Sequence, residues 1–375
     1  MSEPVKQEKP VAQTGSLQQR QGEAGPLRLA FMGTPDFAAR QLQALLDLCQ
    51  KDARFELVMV VTQVDKKVGR KQLLTPPPVK VLAQAHKLCV LQPSRLKDGQ
   101  LAQALRDAAI DLVVTAAYGR ILPKEILDAP RYGCMNIHAS LLPDLRGACP
   151  IQMSIVQGDE KTGITYMDME EGLDSGAIWR QVELNIDPQE TAGALFERLA
   201  ELAAEELPKL LIDFVDGKIQ KRPQDVSKAT HVSLIKKEDA EIDVRWSAKQ
   251  IARLVRGFSP WPGTHLFWQG KRLKILRARV PEEAEQHACF QSLATRLEAP
   301  WIGTLFSFDG RIFLICNANE AELLEILELQ LEGKRACLAS DFAQGFRDVV
   351  ELDAKPAKAF PTAKPLFTQE SEAEV

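Results

Sequence analysis

Arg28-Leu29-Ala30-Phe31-Met32-Gly33-Thr34-Pro35-Asp36-Phe37-Ala38 is the stretch that decides the fold class. Arg28–Met32 is a short apolar strand, and Gly33-Thr34-Pro35 turns it into a helix. Thr34 suits the N-cap and Pro35 the first helical position, where no N–H is needed. Ala38, Leu42, Leu45, Leu46 and Cys49 then recur at helical spacing. Leu57–Thr62 is the next strand. Apolar strands at Asp111–Ala116 and Gly133–His138 alternate with helical segments, which is βαβ logic and predicts a mainly parallel sheet. The Gly33 turn has one glycine where a dinucleotide-binding turn needs three, and no acid ends the second strand. That argues against a nicotinamide enzyme.

The same strand logic reaches Asn136-Ile137-His138-Ala139-Ser140-Leu141-Leu142-Pro143. Residues two apart in a strand share a face, so Asn136 and His138 sit side by side, with Met135 and Ile137 opposite. Leu-Leu-Pro and a Gly-containing loop follow. The polar pair therefore lies at its strand's carboxyl end, where open α/β sheets bind ligands. Thr165–Met169 and Ala177–Ile186 read as strands, and Gly172 and Gly176 free the turn between them to aim Asp174. An amide, an imidazole and a carboxylate suit acyl transfer between nitrogens. The first two donate to a tetrahedral oxyanion and the third helps move protons, with no covalent nucleophile required. A strand-end histidine satisfied by its asparagine, with an ordinary turn aspartate, fits the same residues.

The 375 residues are 45% hydrophobic and 26% charged, which leaves room for two domains. With a net charge of −4, no bulk polycation field draws nucleic acid, so any RNA contact must be local. Seven scattered cysteines lack CxxC spacing, which argues against a zinc site or a disulfide framework and fits a reducing cytosol. No apolar run reaches the length of a membrane span. Residues 1–26 lack the apolar core of a signal peptide and read as a disordered extension, and residues 351–375 read as a flexible tail. Leu195, Leu199, Leu207, Leu210, Leu211 and Phe214 predict a helix over Thr191–Val215, broken or kinked at Pro208. Residues 27–216 thus form one domain. The polar segment 217–230 is a linker, and 231–350 is a smaller domain with strands at Leu266–Trp268, Leu273–Arg279, Gly303–Ser307 and Ile312–Cys316.

From Val244 to Val280 there are nine Lys or Arg residues and no Asp or Glu. Lys249, Arg253 and Arg256 share a helical face, and Arg272 and Lys274 share one side of a strand. This is the footprint expected for tracking a phosphate backbone. A solvated basic face balanced by the acids between Glu320 and Glu332 fits as well. Lys66-Lys67-Val68-Gly69-Arg70-Lys71 is a second basic knot ahead of Pro76-Pro77-Pro78. It reads as a mobile lid or as a solvated surface loop.

These motifs, with Ala117-Tyr118-Gly119-Arg120-Ile121-Leu122-Pro123, Arg146-Gly147-Ala148, Thr162-Gly163-Ile164-Thr165 and Ser259-Pro260-Trp261-Pro262, occur in an order that resembles the folate-dependent formyltransferases. The resemblance is closest to the methionyl-tRNA formyltransferases and spans about residues 27–350. It implies a Rossmann-like domain followed by an OB-like β-barrel. The implied reaction is formyl transfer from 10-formyltetrahydrofolate, as co-substrate, to the α-amino group of methionine on initiator tRNA. Asn136, His138 and Asp174 match the catalytic trio, with no metal. Ser140, Leu141, Leu142 and Pro143, with backbone near Tyr118, match the folate site. The loop carrying Lys66, Lys67, Arg70 and Lys71 matches one inserted against the tRNA acceptor end, with Arg70 as key contact. A cytoplasmic monomer that binds folate and tRNA and no membrane is expected. Asp144 and Leu145 stand where the family carries a basic residue and then an aromatic, which puts tRNA contact by that loop in doubt. A formyltransferase acting on a sugar nucleotide or another small amine, and a non-catalytic RNA-binding homologue, are the rival readings. The basic second domain disfavours the first and the complete trio disfavours the second.

Overall fold

Apolar runs too short for helices set up the sheet of this computed structural model, which describes residues 25–69, 71–294, 302–345, 350–352, 360–362 and 364–365. They form β1 (Leu27–Gly33), β2 (Phe55–Val61), β3 (Cys89–Leu91), β4 (Leu112–Ala116), β5 (Cys134–His138), β6 (Lys161–Asp168) and β7 (Ile178–Asn185). The strand order is β7–β6–β5–β4–β1–β2–β3. β1 pairs in parallel with β2 and β4, and β2 in parallel with β3, while β6 and β7 form an antiparallel hairpin. The strand–helix alternation thus yields the expected Rossmann-like sheet.

Two compact units divide the chain: residues up to Asn136 with Ala203–Arg222, and Ile137–Leu202 with Pro223 onward. Of the three divisions, two fall inside regular elements, β5 and the helix Ala192–Val215, and the third, between Arg222 and Pro223, falls in the polar segment 217–230. Within that segment Gln224 is buried, and Thr230 opens a short strand, Thr230–Val232, paired with Arg146–Gly147. Its polar side chains serve internal hydrogen bonds, which composition alone does not distinguish from a solvated linker.

In the first unit, α1 (Asp36–Lys51) buries Phe37, Ala38, Leu42, Leu45 and Leu46. It starts one residue later than the sequence suggests. Pro35 holds the cap position, and the Thr34 hydroxyl donates to the Tyr118 carbonyl at 3.2 Å instead of capping. Gly33 permits this packing, because a Cβ there would collide with Ala38, the Phe31 ring and the Ala116 carbonyl. Helix Ala192–Val215 continues through Pro208, so of the expected break or kink the break does not occur. Leu207, Leu210 and Leu211 are fully buried around it. Each such burial stabilises by about 1.5–3 kcal/mol, which together exceeds the cost of an interior proline, about 3 kcal/mol. The basic segment forms a small hairpin, Lys66–Val68 against Leu73–Thr75.

In the second unit, α2 (Ala248–Gly257) opens on a capping box in which Ser247 Oγ accepts the Gln250 amide at 3.2 Å and Gln250 Oε1 accepts the Ser247 amide at 3.0 Å. Its apolar face, Ile251, Leu254 and Val255, joins Phe258, Leu273, Ile275, Leu314 and Leu324 in one core. β8 (Thr264–Trp268), β9 (Lys271–Arg279), β10 (Thr304–Phe308), β11 (Arg311–Cys316) and β12 (Glu322–Leu331) pair antiparallel in the order β8–β9–β12–β11–β10, an OB-like module. In the stretch that composition marks as a tail, the Phe360 ring meets Trp246 edge to face at 5.1 Å, and Lys364–Pro365 pair with Thr230–His231. Residues 1–24 of the expected extension and 353–359, 363 and 366–375 of the expected tail lie outside the described residues. Among the described residues no helix is long and apolar enough to cross a membrane.

Candidate active site

β5 alternates as its sequence requires, with Cys134, Asn136 and His138 on one face and Met135 and Ile137 on the other. His138 is 6% exposed. Its Nε2 lies 3.0 Å from the Leu145 carbonyl, which can only accept, so Nε2 carries the proton. Nδ1 faces Asp174 Oδ2 at 3.6 Å. In the neutral ring that nitrogen is a lone pair opposite a carboxylate. Nδ1 is therefore the ring nitrogen not engaged by a main-chain carbonyl, and Asp174 lies beside it to orient the imidazole. Asn136 is half-buried and its amide makes no side-chain hydrogen bond among the described residues. Of the two expected oxyanion donors, the Asn136 amide is uncommitted, whereas the His138 Nε2–H is engaged.

Asp174 sits in the left-handed region at φ 49°, and its Oδ2 accepts the Gly147 amide at 2.8 Å. Gly147 has φ 106°, and a Cβ there would run into the Val232 carbonyl and the His231 ring. Only glycine serves at that position. Next to it, Arg146 is 5% exposed, and burial pushes its guanidinium below the usual value while the Asp174 charge opposes the shift.

The Ser140–Pro143 loop is held by two residues whose roles the sequence did not signal. Thr165 Oγ1 donates to the Ser140 carbonyl at 2.6 Å and accepts from the Leu142 amide at 3.1 Å and from Gln181 Nε2 at 3.0 Å. That uses the full capacity of a hydroxyl. Gln181 Nε2 also donates to the Leu142 carbonyl at 2.7 Å, and Ser140 Oγ to the Asp144 carbonyl at 2.6 Å. Leu141 and Pro143 are half-buried and Leu142 is buried. Thr165 falls in the Thr162–Thr165 motif that carries the resemblance, whereas Gln181 is one of several polar residues in its strand and had no signal of its own.

In the first unit, Tyr118 is buried, and its carbonyl accepts from both Thr34 Oγ1 and Gln63 Nε2, so that backbone oxygen is committed. Beyond it, Arg120, Ile121 and Pro123 line a cavity of about 670 Å³ with Ser94, Arg95 and Lys97.

A formyl transferase family model matches residues 27–211, and a model of the formyl transferase C-terminal domain matches residues 234–347. The methionyl-tRNA formyltransferase of Geotalea daltonii is 40% identical over 322 residues, spanning 86% of this chain and 96% of that protein. The chain belongs to the methionyl-tRNA formyltransferase family. A second member, from Halalkalibacterium halodurans, is 39% identical over 319 residues, covering 85% of this chain and 95% of its own length. Among solved structures, WlaRD, a sugar 3N-formyl transferase crystallised with dTDP and 5-N-formyl-THF, aligns with a TM-score of 0.58 at 15% identity, over 83% of this chain and all of that one. An N-formyltransferase from Helicobacter canadensis in complex with folinic acid aligns at 0.57 with 14% identity, over 80% of this chain and 98% of its own. At such identities the two show the formyltransferase fold.

The expected RNA contacts of this family member separate by environment. Lys66, Lys67 and Lys71 are exposed on the hairpin, with Lys66 Nζ on Gln63 Oε1 at 2.6 Å, and Arg70 lies outside the described residues. Lys249 and Arg272 are exposed and Lys274 is half-buried. Arg272 and Lys274 lie on the face of β9 opposite the buried Leu273 and Ile275. Arg253 and Arg256 are half-buried, and their guanidinium groups donate to the main-chain carbonyls of Gln157 at 3.0 Å and Glu190 at 3.3 Å. Helical spacing does not reveal that Arg253 and Arg256, unlike the exposed Lys249, serve the fold.

Proposed function

We propose that this chain transfers the formyl group of 10-formyltetrahydrofolate to the α-amino group of methionine on initiator tRNA. The carrying observation is the buried His138–Asp174 pair, which has a free proton position between two acceptors, two residues along the strand from the uncommitted Asn136 amide. The methionine nitrogen attacks the formyl carbon on N10, and the new C–N bond forms as the carbonyl oxygen gains charge. Asn136 donates to that oxygen. His138, backed by Asp174, takes the proton from the attacking nitrogen and returns it to N10 as the C–N10 bond breaks, releasing tetrahydrofolate. Ser140–Pro143, braced by Thr165 and Gln181, and the backbone near Tyr118 hold the folate. Lys249, Arg272 and Lys274 on the OB-like module, and Lys66, Lys67, Arg70 and Lys71 on the hairpin, contact tRNA phosphates. Arg253 and Arg256 contribute by shaping that surface.

The test is radiolabelled formyl transfer to methionyl initiator tRNA, with methionyl elongator tRNA as control. Initiator-selective labelling, reduced about 10²–10³-fold in kcat by Asn136→Ala, supports the reading. Tetrahydrofolate release without labelled tRNA would turn it toward a hydrolase or another acceptor.

A further inference from the structure

Gln224 lies in the segment that composition marks as a linker, yet it is 9% exposed and its partners include Arg146 and the Asp174 main chain. Its Oε1 accepts from Arg146 Nε at 3.1 Å and Nη2 at 2.7 Å. Its Nε2 donates to the Asp174 carbonyl at 2.9 Å and the Gly176 carbonyl at 2.8 Å, with Met167 Sδ at 3.9 Å. A guanidinium only donates and a carbonyl only accepts, so the amide has one permissible orientation. Flipping it would set donor on donor and acceptor on acceptor at once.

These bonds close a ring. Arg146 orients Gln224, Gln224 fixes the Asp174 main chain, and the Asp174 carboxylate returns to the amide of Gly147, the residue after Arg146. Asp174 is thus held at both its carbonyl and its carboxylate. It needs to be, because its backbone is in the left-handed region, which is strained for a residue with a Cβ. We propose that Gln224 is a positioning residue for formyl transfer: it acts through Asp174, holding the carboxylate in register with His138 Nδ1, under the oriented charge of Arg146. This assignment rests on the function proposed above.

A double-mutant cycle over Gln224→Met and Asp174→Ala in the full chain tests it, with kcat for formyl transfer and amide hydrogen exchange at Gly147 as readouts. Gln224→Met is expected to lower kcat about 10–10²-fold while both KM values change less than about threefold, since a misplaced group costs chemistry more than binding. In the Asp174→Ala background it should have no further effect. Gln224→Glu, which keeps the Arg146 acceptor but loses both donations, should show the same loss if the apolar variant fails to fold. Exchange at Gly147 should rise in each Gln224 variant. Equal kcat losses in both backgrounds, or unchanged Gly147 exchange, would overturn the proposal. If wild type formylates no methionyl-tRNA, the proposed reaction falls. Gly147 exchange still decides in that case whether Gln224 holds Asp174.

Discussion

Asp144 Oδ1 accepts the hydroxyl of Thr230 and, at 3.0 Å, the amide of Leu145, while Thr230 Oγ1 accepts that same amide at 2.8 Å. A carboxylate at a place where the family carries a base is therefore tied into the loop that leads to Arg146. Its charge still faces any approaching phosphate. Asp144→Asn keeps an acceptor oxygen and removes the charge. It should not lower the urea midpoint, since it also relieves the repulsion on Asp159, and it should lower the KM for tRNA a few-fold at low salt, with the difference fading as salt rises. Asp144→Lys loses both bonds and should cost about 1–3 kcal/mol in the same denaturation experiment. An unchanged KM in Asp144→Asn at every salt concentration would show that this loop does not approach the RNA.

The His138–Asp174 pair predicts a clean kinetic split. Asp174→Asn retains an oxygen for the Gly147 amide, so the turn should keep its shape, but it can no longer stabilise an imidazolium. kcat should fall about 10²–10³-fold, with either KM shifted less than about threefold. Activity above a tenth of wild type would remove Asp174 from proton transfer.

The parallel sheet was legible because β1, β2, β4 and β5 are buried apolar runs set off by turns and helices, a pattern with few structural solutions. β12 was not legible. Glu322–Leu331 is rich in Leu and Glu, which favour helix, yet it sits between β9 and β11 and pairs with both. Tertiary pairing on both edges overrides local preference there. Spacing put Asn136 and His138 on one strand face, whereas Asp174 joined them only through the motif resemblance. Gln224 could not be located, because its Arg146 and Asp174 partners lie 78 and 50 residues away and nothing in a polar segment announces burial.

The exposed face of β9 predicts a salt signature. Arg272 is exposed, with its guanidinium 5.9 Å from the Phe267 ring, and Lys274 shares that face. Arg272→Glu and Lys274→Glu should each raise the KM for tRNA and leave kcat unchanged. Each lost contact should reduce the slope of log KM against log salt by about 1. Slopes equal to wild type in both variants would take β9 out of the RNA path and leave α2 and the hairpin to carry it.

Asp159 predicts how stability depends on pH. Burial, reinforced by the Asp144 charge and opposed by Gln157 and Arg253, pushes its carboxyl up from 3.8 to about 6. The folded chain therefore holds this proton more tightly than the unfolded chain does. The contribution is fully present below pH 3.8, the unfolded value, and is lost as pH rises through about 6. At neutral pH the folded state carries the cost of an ionised, poorly solvated carboxylate near a second one. Asp159→Asn removes that cost and keeps an oxygen to accept from Gln157. Its Tm should exceed wild type at pH 8 and converge with it near pH 4, in thermal melts across that range. A Tm difference that is constant with pH would mean that Asp159 ionises as freely in the folded chain as in the unfolded one, and that Arg253 compensates fully for its burial.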